Sequence, residues 1–486
     1  MKILYLLFLL ILTNVTYALN EDEFIDLILS SNKLFLSDEI DLYSQQERLK
    51  SKKQDYYGWD FVLTSKYNFE KLNSKKDSSY TYVSDQIERD KNITIKASTA
   101  FENGISFNVK LSRNLPYNDY DKSKNLEFYK HYNTTEYNTE LTTNLNIPLL
   151  KNNNGGTNNL YYNNAKIDNN IETYKLLESK EDILEEKLSL FIELVINIRK
   201  VDVAKNYLKN SQNLVEKITS SNFKDKIKKR NITLVNNKII KIKRILATNI
   251  ANLADTKKKL RYDIDFSKNI DDKINFNHLK RVTLIRNVSN YVVKNNRDLR
   301  ISRLDQSKKK NYIDNYKNQQ LADFDFNLWT TNNRNRGNYS SYSYYYKNDF
   351  GMSLDFSYFF GGSASLKYNL LDAKLDYQKK IIDYRDELKD KIEDIELLSS
   401  ELTLKKSNLN LFIRQIKITN NELNKYLNDD DIRFVLNELI EFYDLKLEYL
   451  DEELNYHQAR IKYENLIDRL LDENKIKCEF CWRNVI

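Results

Sequence analysis

"NLNIPLLKNNNGG" (residues 144–156) separates two kinds of sequence. Before it, polar and apolar residues alternate. After it, no glycine occurs until Gly337 and no proline occurs at all, because the only other proline is Pro116. Proline lacks an N–H and interrupts a strand ladder. Paired glycines accept backbone angles that other residues resist. The stretch therefore reads as a strand turning directly into a helix. Pro148 ends the strand pairing, and Gly155 and Gly156 make the turn. A second stretch, "LDFSYFFGGSASLKYNLLDAKLDY" (354–377), follows the same plan with Gly361 and Gly362.

Upstream of the first junction lies "ITIKASTAFENGISFNVKLS" (93–112). Ile93, Ile95, Ala97, Thr99 and Phe101 fall on one side, and Thr94, Lys96 and Ser98 on the other. After "ENG", Ile105, Phe107, Val109 and Leu111 alternate with Ser106, Asn108, Lys110 and Ser112. Period-two alternation around a glycine turn predicts a β-hairpin. Similar strands are predicted in "WDFVLTSKYNF" (59–69), "ELTTNLNIPLL" (140–150), "FDFNLWT" (324–330) and "GMSLDFSYFF" (351–360). Such strands fit either an antiparallel sheet on a soluble core or a transmembrane barrel with its apolar face towards lipid. The aromatic residues and the long polar connections at 113–136 and 331–349 favour the barrel. Those connections would be extracellular loops, and Lys96 and Lys110 would face the pore.

Downstream, residues 157–220 and 363–427 contain neither proline nor glycine. Leu184, Leu188, Phe191, Val195 and Ile198 step by four and three. So do Leu388, Ile392, Ile395, Leu402, Leu409, Ile413 and Ile416, with polar interruptions at Ser399 and Lys406. The third stripe runs Leu436, Ile440, Tyr443, Leu447, Leu450, Leu454, His457 and Ile461. These are coiled-coil stripes, and a 60-residue helix reaches about 90 Å. Breaks in "SNFKDKIKKRNI" (221–232) and "LNDDDI" (427–432) divide the stretches into helical hairpins. His457 reads either as a pH-responsive packing residue or as a histidine tolerated in a partly wet seam.

The chain also repeats itself. "AKID" (165–168) answers to "AKLD" (373–376), each about ten residues beyond a Gly-Gly. "SNKLFL" (31–36) matches "NRDLRI" (296–301), and "WDFVL" (59–63) matches "FDFNL" (324–328), both at an offset of 265 residues. Each half reads helix, strands, Gly-Gly, long helix, tip, returning helix, and the first half has an extra hairpin at 93–112. The expected organisation is a signal peptide over 1–18, a first repeat over 19–283 and a second over 284–472. The first repeat holds strands at about 59–150 and a helical hairpin at about 157–275. The second holds strands at about 323–360 and a hairpin at about 363–472. A tail over 473–486 carries Cys478 and Cys481, read as a local disulfide or an incidental pair.

Composition narrows the function. The signal peptide rests on Lys2, the apolar run Ile3–Leu12 and Thr16-Tyr17-Ala18, and it implies export. Mean hydropathy of −0.67 argues against a polytopic helical membrane protein. Basic and acidic residues number 77 and 70 and are interspersed, as on solvated helix faces. No nucleic-acid motif accompanies them, so no nucleic-acid partner is expected. No Walker motif, nucleophile elbow or metal-ligand spacing occurs, so no catalytic residue, cofactor or metal is expected.

These features, carried by "LNIPLLKNNNGG", by 354–377 and by the returning helix "DIRFVLNELIEFYDLKLEYLDEELNYHQARIKYENLI" (431–467), resemble the TolC family of outer-membrane efflux and secretion channels. The resemblance covers nearly all of residues 21–472. It implies an α+β, mostly α fold in which three protomers share one transmembrane β-barrel, while antiparallel coiled-coil hairpins form an α-barrel through the periplasm. It implies a homotrimer in outer-membrane lipid whose helical tips meet a periplasmic adaptor protein coupled to an inner-membrane pump. The function implied is a passive exit duct for tripartite efflux or type I secretion. At the tips the chain departs from the family. Arg230-Asn231 and Asn428-Asp429 stand where a glycine commonly opens each returning helix, and Phe434 and Asn437 stand where aspartates often form the pore constriction. Lys224, Lys226, Lys228, Lys229 and Arg230 make one tip basic, and Asp429, Asp430 and Asp431 make the other acidic, which suggests a closed gate held by opposite charges. The alternative is an exported coiled-coil surface protein, a fibre or adhesin without a channel.

Overall fold

The computed structural model describes residues 20–30, 32–72, 86–120, 137–153, 155–220, 225–263, 279–280, 282–336, 344–358, 363–426 and 432–471. In chain order the elements are α1 (Glu21–Leu29), α2 (Asn32–Tyr57), β1 (Asp60–Leu72), β2 (Gln86–Ala100), β3 (Ser106–Tyr120), β4 (Tyr137–Pro148), α3 (Gly156–Ser220), α4 (Asp225–Asp263), α5 (Val288–Asn295), α6 (Arg297–Gln319), β5 (Asp323–Arg336), β6 (Tyr344–Ser357), α7 (Ala364–Tyr426) and α8 (Ile432–Leu466). The fold is α+β and mostly helical. It divides into two compact units. The helical unit takes the chain up to Tyr43, Glu172–Ile301 and the chain from Asp383 on; the sheet unit takes Ser44–Ile171 and Ser302–Ile382. Both halves of the sequence contribute to both units.

In the sheet unit all six strands form one antiparallel sheet in the order β1-β2-β3-β4-β5-β6. The hairpin at 93–112 thus lies inside the sheet, with β1 on one side and β4 on the other. The strands outrun the alternating segments that predicted them. Residues 113–120, 331–336 and 344–349, expected in loops, are strand. There the sequence turns to Asn, Arg and Tyr, so alternation fades although the backbone pairing continues. Residues 121–136 and 337–343, within the connections expected as loops, lie outside the described residues, as do the expected signal peptide, Gly361, Gly362, Cys478 and Cys481.

The junction is built from left-handed backbone. Asn152 has φ 66°, Gly155 φ 77° and Gly156 φ 52°. Pro148 is the last residue of β4, yet pairing continues beyond it: the Leu149 N–H donates to Phe324 O at 2.7 Å and the Lys151 N–H to Ala322 O at 3.3 Å. Alternate residues of a strand bond to opposite neighbours. Leu149 bonds towards β5, so Pro148 faces the β3 side, where the ladder has already stopped at Ser106–Asn146. The proline therefore costs no hydrogen bond. The β2–β3 turn packs on the junction. A Cβ on Gly104 (φ 85°) would lie 2.0 Å from Asn152 O, and one on Gly155 2.7 Å from Glu102 O. Helix α6 closes the other side, where the Asn152 N–H donates to Asn318 Oδ1 at 3.1 Å. The two matched tetrapeptides also find partners on α6: Asp168 binds Lys308, and Asp376 binds the next residue, Lys309, at 2.6 Å.

In the helical unit the stripes become the core. Leu184, Leu188, Phe191 and Val195 are buried with Phe24, Ile28 and Phe35. Phe24 stacks on Phe191 at 4.4 Å. Asn20 caps α1 in a reciprocal capping box with Glu23. Ile395 and Leu402 pack with Tyr456, Tyr463 and Ile467. Further along, Tyr207 stacks on Tyr443 at 4.6 Å. One expected seam residue, Ile413, is exposed instead. His457 is buried rather than wet. Burial, with Arg460 and Arg199 nearby, pushes its pKa down to about 3. It stays neutral, and the pH-responsive reading gives way to packing. Among the described residues, no helix is long and apolar enough to cross a membrane.

Gly155→Ala forces a side chain into the left-handed region against Glu102 O. We expect it to lower stability by about 1–2 kcal/mol or more, read as a lower denaturant midpoint. An unchanged midpoint would show that the junction yields freely.

Candidate channel wall and buried charge cluster

The register assigns the described side chains of the sheet to two faces. On the first face one row reads Phe61, Ala97, Val109, Thr143, Thr330 and Phe350, and the next begins Leu63, Ile95, Leu111 and Leu141. Thr99, Phe107, Leu145, Leu328 and Met352 form a third row. In a soluble sheet such a face is covered. Here Phe61 is 72% exposed and Phe350 70%. Aromatic rings gather at one end of the strands: Trp59 lies 6.2 Å from Phe61 and 6.1 Å from Phe107, and Phe324 lies 6.1 Å from Phe356. An apolar band with aromatics at its margin is the pattern of a lipid-facing barrel surface.

The second face is polar. Asn146 donates to Asn327 at 2.8 Å, Asn327 to Asp355 at 2.6 Å and Ser353 to Asp355 at 3.1 Å, a chain across three strands. Trp329 stands opposite Gly351, whose Cβ position its indole fills to within 2.2 Å. Lys96 and Lys110 face each other directly on β2 and β3. Like charges at this spacing repel, and among the described residues neither joins an ion pair. Such a pair suits a face bathed in water and anions. The residues read from the sequence as pore-facing do share one face.

The helical unit holds a charge cluster that the stripes did not reveal. The Arg297 guanidinium contacts Glu181, Glu178 at 3.3 Å and Asp468 at 3.9 Å. Its backbone N–H donates to Asp468 at 2.8 Å, and the Leu470 N–H donates to Glu181 at 2.7 Å. Next to it Lys391 binds Asp298 at 2.7 Å. Four carboxylates thus meet two cations, and Arg297 and Glu181 are fully buried. Burial raises Glu178 and Glu181 to about 7 and Asp468 to about 6, although Arg297 opposes the shift in each case. Burial also disfavours the Arg297 charge, but the three acids outweigh it and raise its pKa. Both directions agree: one arginine among three acids is held charged, and the acids compete for it. A second buried arginine, Arg460, binds Glu21 at 2.7 Å and Glu464 at 3.0 Å, joining α8 to α1. The only sequence signal for these residues is a charge set inside an apolar stripe, as Arg460 is beside Ile461.

The tip residues are placed only in part. The expected break at 221–232 is shorter, since α4 begins at Asp225. Neither proline nor glycine stops the helix there, and Asp225 suits its positive N-terminal end. Lys226, Lys228, Lys229 and Arg230 therefore ride on the first turns of α4, with Lys229 and Arg230 exposed. Phe434 and Asn437 are exposed on the first turns of α8, while Val435 and Leu436 pack with Ile218 and Val235. Lys224, Asp429, Asp430 and Asp431 lie outside the described residues. Among the described residues, no ion pair joins the two tips.

No family model matches the sequence, and no curated protein matches it. Solved structures do match. The CusC channel aligns over 92% of this chain and 91% of its own at TM-score 0.59 and 10% identity. The open-state MtrE outer-membrane channel of Neisseria gonorrhoeae aligns over 93% and 89% at 0.59 and 12%. The outer-membrane protein VceC of Vibrio cholerae aligns over 92% and 95% at 0.55 and 10%. The chain has the fold of these outer-membrane channels.

The charge cluster predicts a pH dependence. A carboxylate whose folded pKa lies above its ordinary value stabilises fully below that value, and the contribution is lost as pH rises through the folded pKa. The cluster's contribution should therefore fall between about pH 4.5 and about pH 7. Glu178→Gln keeps an oxygen for Arg297 and removes one excess charge, so denaturant midpoints measured from pH 5 to pH 8 should vary less. Arg297→Met strands buried acids and should cost about 3–5 kcal/mol, more at pH 8 than at pH 5.

Proposed function

We propose that the chain is an outer-membrane exit duct, conducting solutes passively out of the cell as one component of an efflux or type I secretion system. The observation that carries this reading is the two-faced sheet, uncovered and apolar on one side, polar with unpaired lysines on the other. A sheet facing a soluble core would bury the first face, and a surface fibre has no use for it. The signal peptide supplies the export route. Three copies would share one barrel in outer-membrane lipid, and the helical hairpins would extend through the periplasm to an adaptor protein and an inner-membrane pump. Energy would come from the pump, so no catalytic role is assigned. The basic turns of α4 and the acids Asp429, Asp430 and Asp431 would hold the inner end closed by attraction, with Phe434 and Asn437 near the constriction.

The mature protein, its mass measured in detergent, should give discrete single-channel openings in planar bilayers. A monodisperse monomer that never inserts would refute the duct. In the same recordings the Lys96→Glu, Lys110→Glu variant should move the reversal potential towards cation selectivity. Replacing Asp429, Asp430 and Asp431 together by Asn should raise the open fraction if the tip charges hold the gate.

A further inference from the structure

We infer that the β2–β3 hairpin is an insertion that widens the exit barrel, so that each copy supplies six strands and three copies close an eighteen-stranded pore. This rests on the trimeric-duct reading, and it starts from a mismatch between the two halves of the chain. Asn32, which opens α2, and Arg297, which opens α6, stand 265 residues apart. Asp60, which opens β1, and Asp325 in β5 stand at the same offset. The strands leading into the long helices, β4 and β6, each precede a Gly-Gly. That matches β1 with β5 and β4 with β6. Among the described residues, strands β2 and β3 have no counterpart in the second half.

The hairpin is nonetheless part of the wall. β2 pairs with β1 from Asp60–Ser98 to Leu72–Gln86, and β3 pairs with β4 from Ser106–Asn146 to Asn114–Asn138. Ile95, Ala97, Val109 and Leu111 continue the apolar rows of β1 and β4 without a break. A hairpin folded back as an outer loop would need neither the pairing nor the continuity.

Closure sets the strand count. The sheet ends in two edges, β1 and β6. Edge N–H and C=O groups cannot stay unpaired in hydrocarbon, and one copy has too few strands to close alone. Neighbours in the sheet run antiparallel throughout, so with six strands β1 and β6 run in opposite directions. The β6 edge of one copy can then meet the β1 edge of the next in the same antiparallel sense, and the ring closes head to tail. Inserting one strand would have made that seam parallel; inserting two preserves it. Strands about 4.8 Å apart and tilted about 40° give a backbone radius of about 18 Å for eighteen strands, against about 12 Å for twelve. At eighteen strands the lumen is an open aqueous channel, suited to bulky cargo. The hairpin lines it with Lys96 and Lys110 from every copy.

The test pairs an image with a size measurement. Electron cryomicroscopy of the full-length protein in lipid nanodiscs should show six strands from each copy in one barrel. Neutral polyethylene glycols of graded size, added to planar bilayers from the barrel side only, report the outer mouth independently of any inner constriction. Excising residues 86–120 leaves the flanking residues to link β1 to β4 in the original up-down order. In that variant the polymer cut-off radius should fall by about a third or more, since the backbone radius falls by about a third and the side-chain layer is unchanged. A trimeric channel with the hairpin outside the barrel, or an unchanged cut-off in the shortened variant, would overturn the inference while leaving the duct intact. If the shortened variant does not assemble, the strand count of the wild-type barrel decides. A wild-type protein that forms no channel would remove the duct reading itself.

Discussion

A backbone N–H or C=O left without a partner in hydrocarbon costs several kcal/mol. In the barrel proposed above, that cost would require the strands to be paired along their length, and in the structure they persist through the Asn- and Tyr-rich stretches where side-chain alternation has gone. The same cost bears on the one proline that closes a strand. Pro148 sits where the missing N–H faces the finished end of β3, while Leu149 and Lys151 go on bonding to the β5 side. The chain leaves the sheet only when its next polar groups can be satisfied by a helix, and Gly155 and Gly156 make that change within two residues.

Much of this was legible in the sequence. Period-two alternation located all the strand cores, since it reports side-chain environment, and one face of each strand meets an environment unlike the other. It failed at the strand ends, because Arg334 and Asn335 are polar whichever way they point. The long helices were legible from the absence of breakers and from stripes such as Leu184–Leu188–Phe191. The tip at 221–232 was read too long because lysine-rich sequence resembles a loop in composition, although nothing in it stops a helix. Ile413 kept the seam spacing but ended exposed; spacing alone does not say which helix face is covered.

The buried charges were not legible, and the reason is three-dimensional. Glu178 and Glu181 on α3, Arg297 at the start of α6 and Asp468 after α8 lie far apart in sequence. A stripe analysis scores each as a polar residue beside an apolar one. Only the packing shows that they share one largely buried site. The balance there is unusual, because the cations are outnumbered and the acids cannot all be ionised cheaply. A purely apolar seam would hold the helices as well. The ionic site adds a demand that a shifted helix would not meet: a helix displaced by one residue would leave Arg297 or Glu181 buried without its partner.

The same reasoning bears on the hairpin. An insertion that merely lengthened a loop would leave the rest of the sheet unit as it was. This one is fitted to the junction: the turn at Gly104 presses on Asn152, and Gly155 presses back on Glu102. Neither position has room for a Cβ. Asn152 is itself held by Asn318 of α6, through its backbone N–H and through its side chain. The hairpin, the strand-to-helix junction and α6 therefore fix one another within the sheet unit. If the sheet closes with its copies as proposed, a two-strand insertion anchored in this way would change the circumference of the barrel while keeping the geometry by which β4 passes into α3. Each added pair would preserve the antiparallel seam, which a single added strand would not.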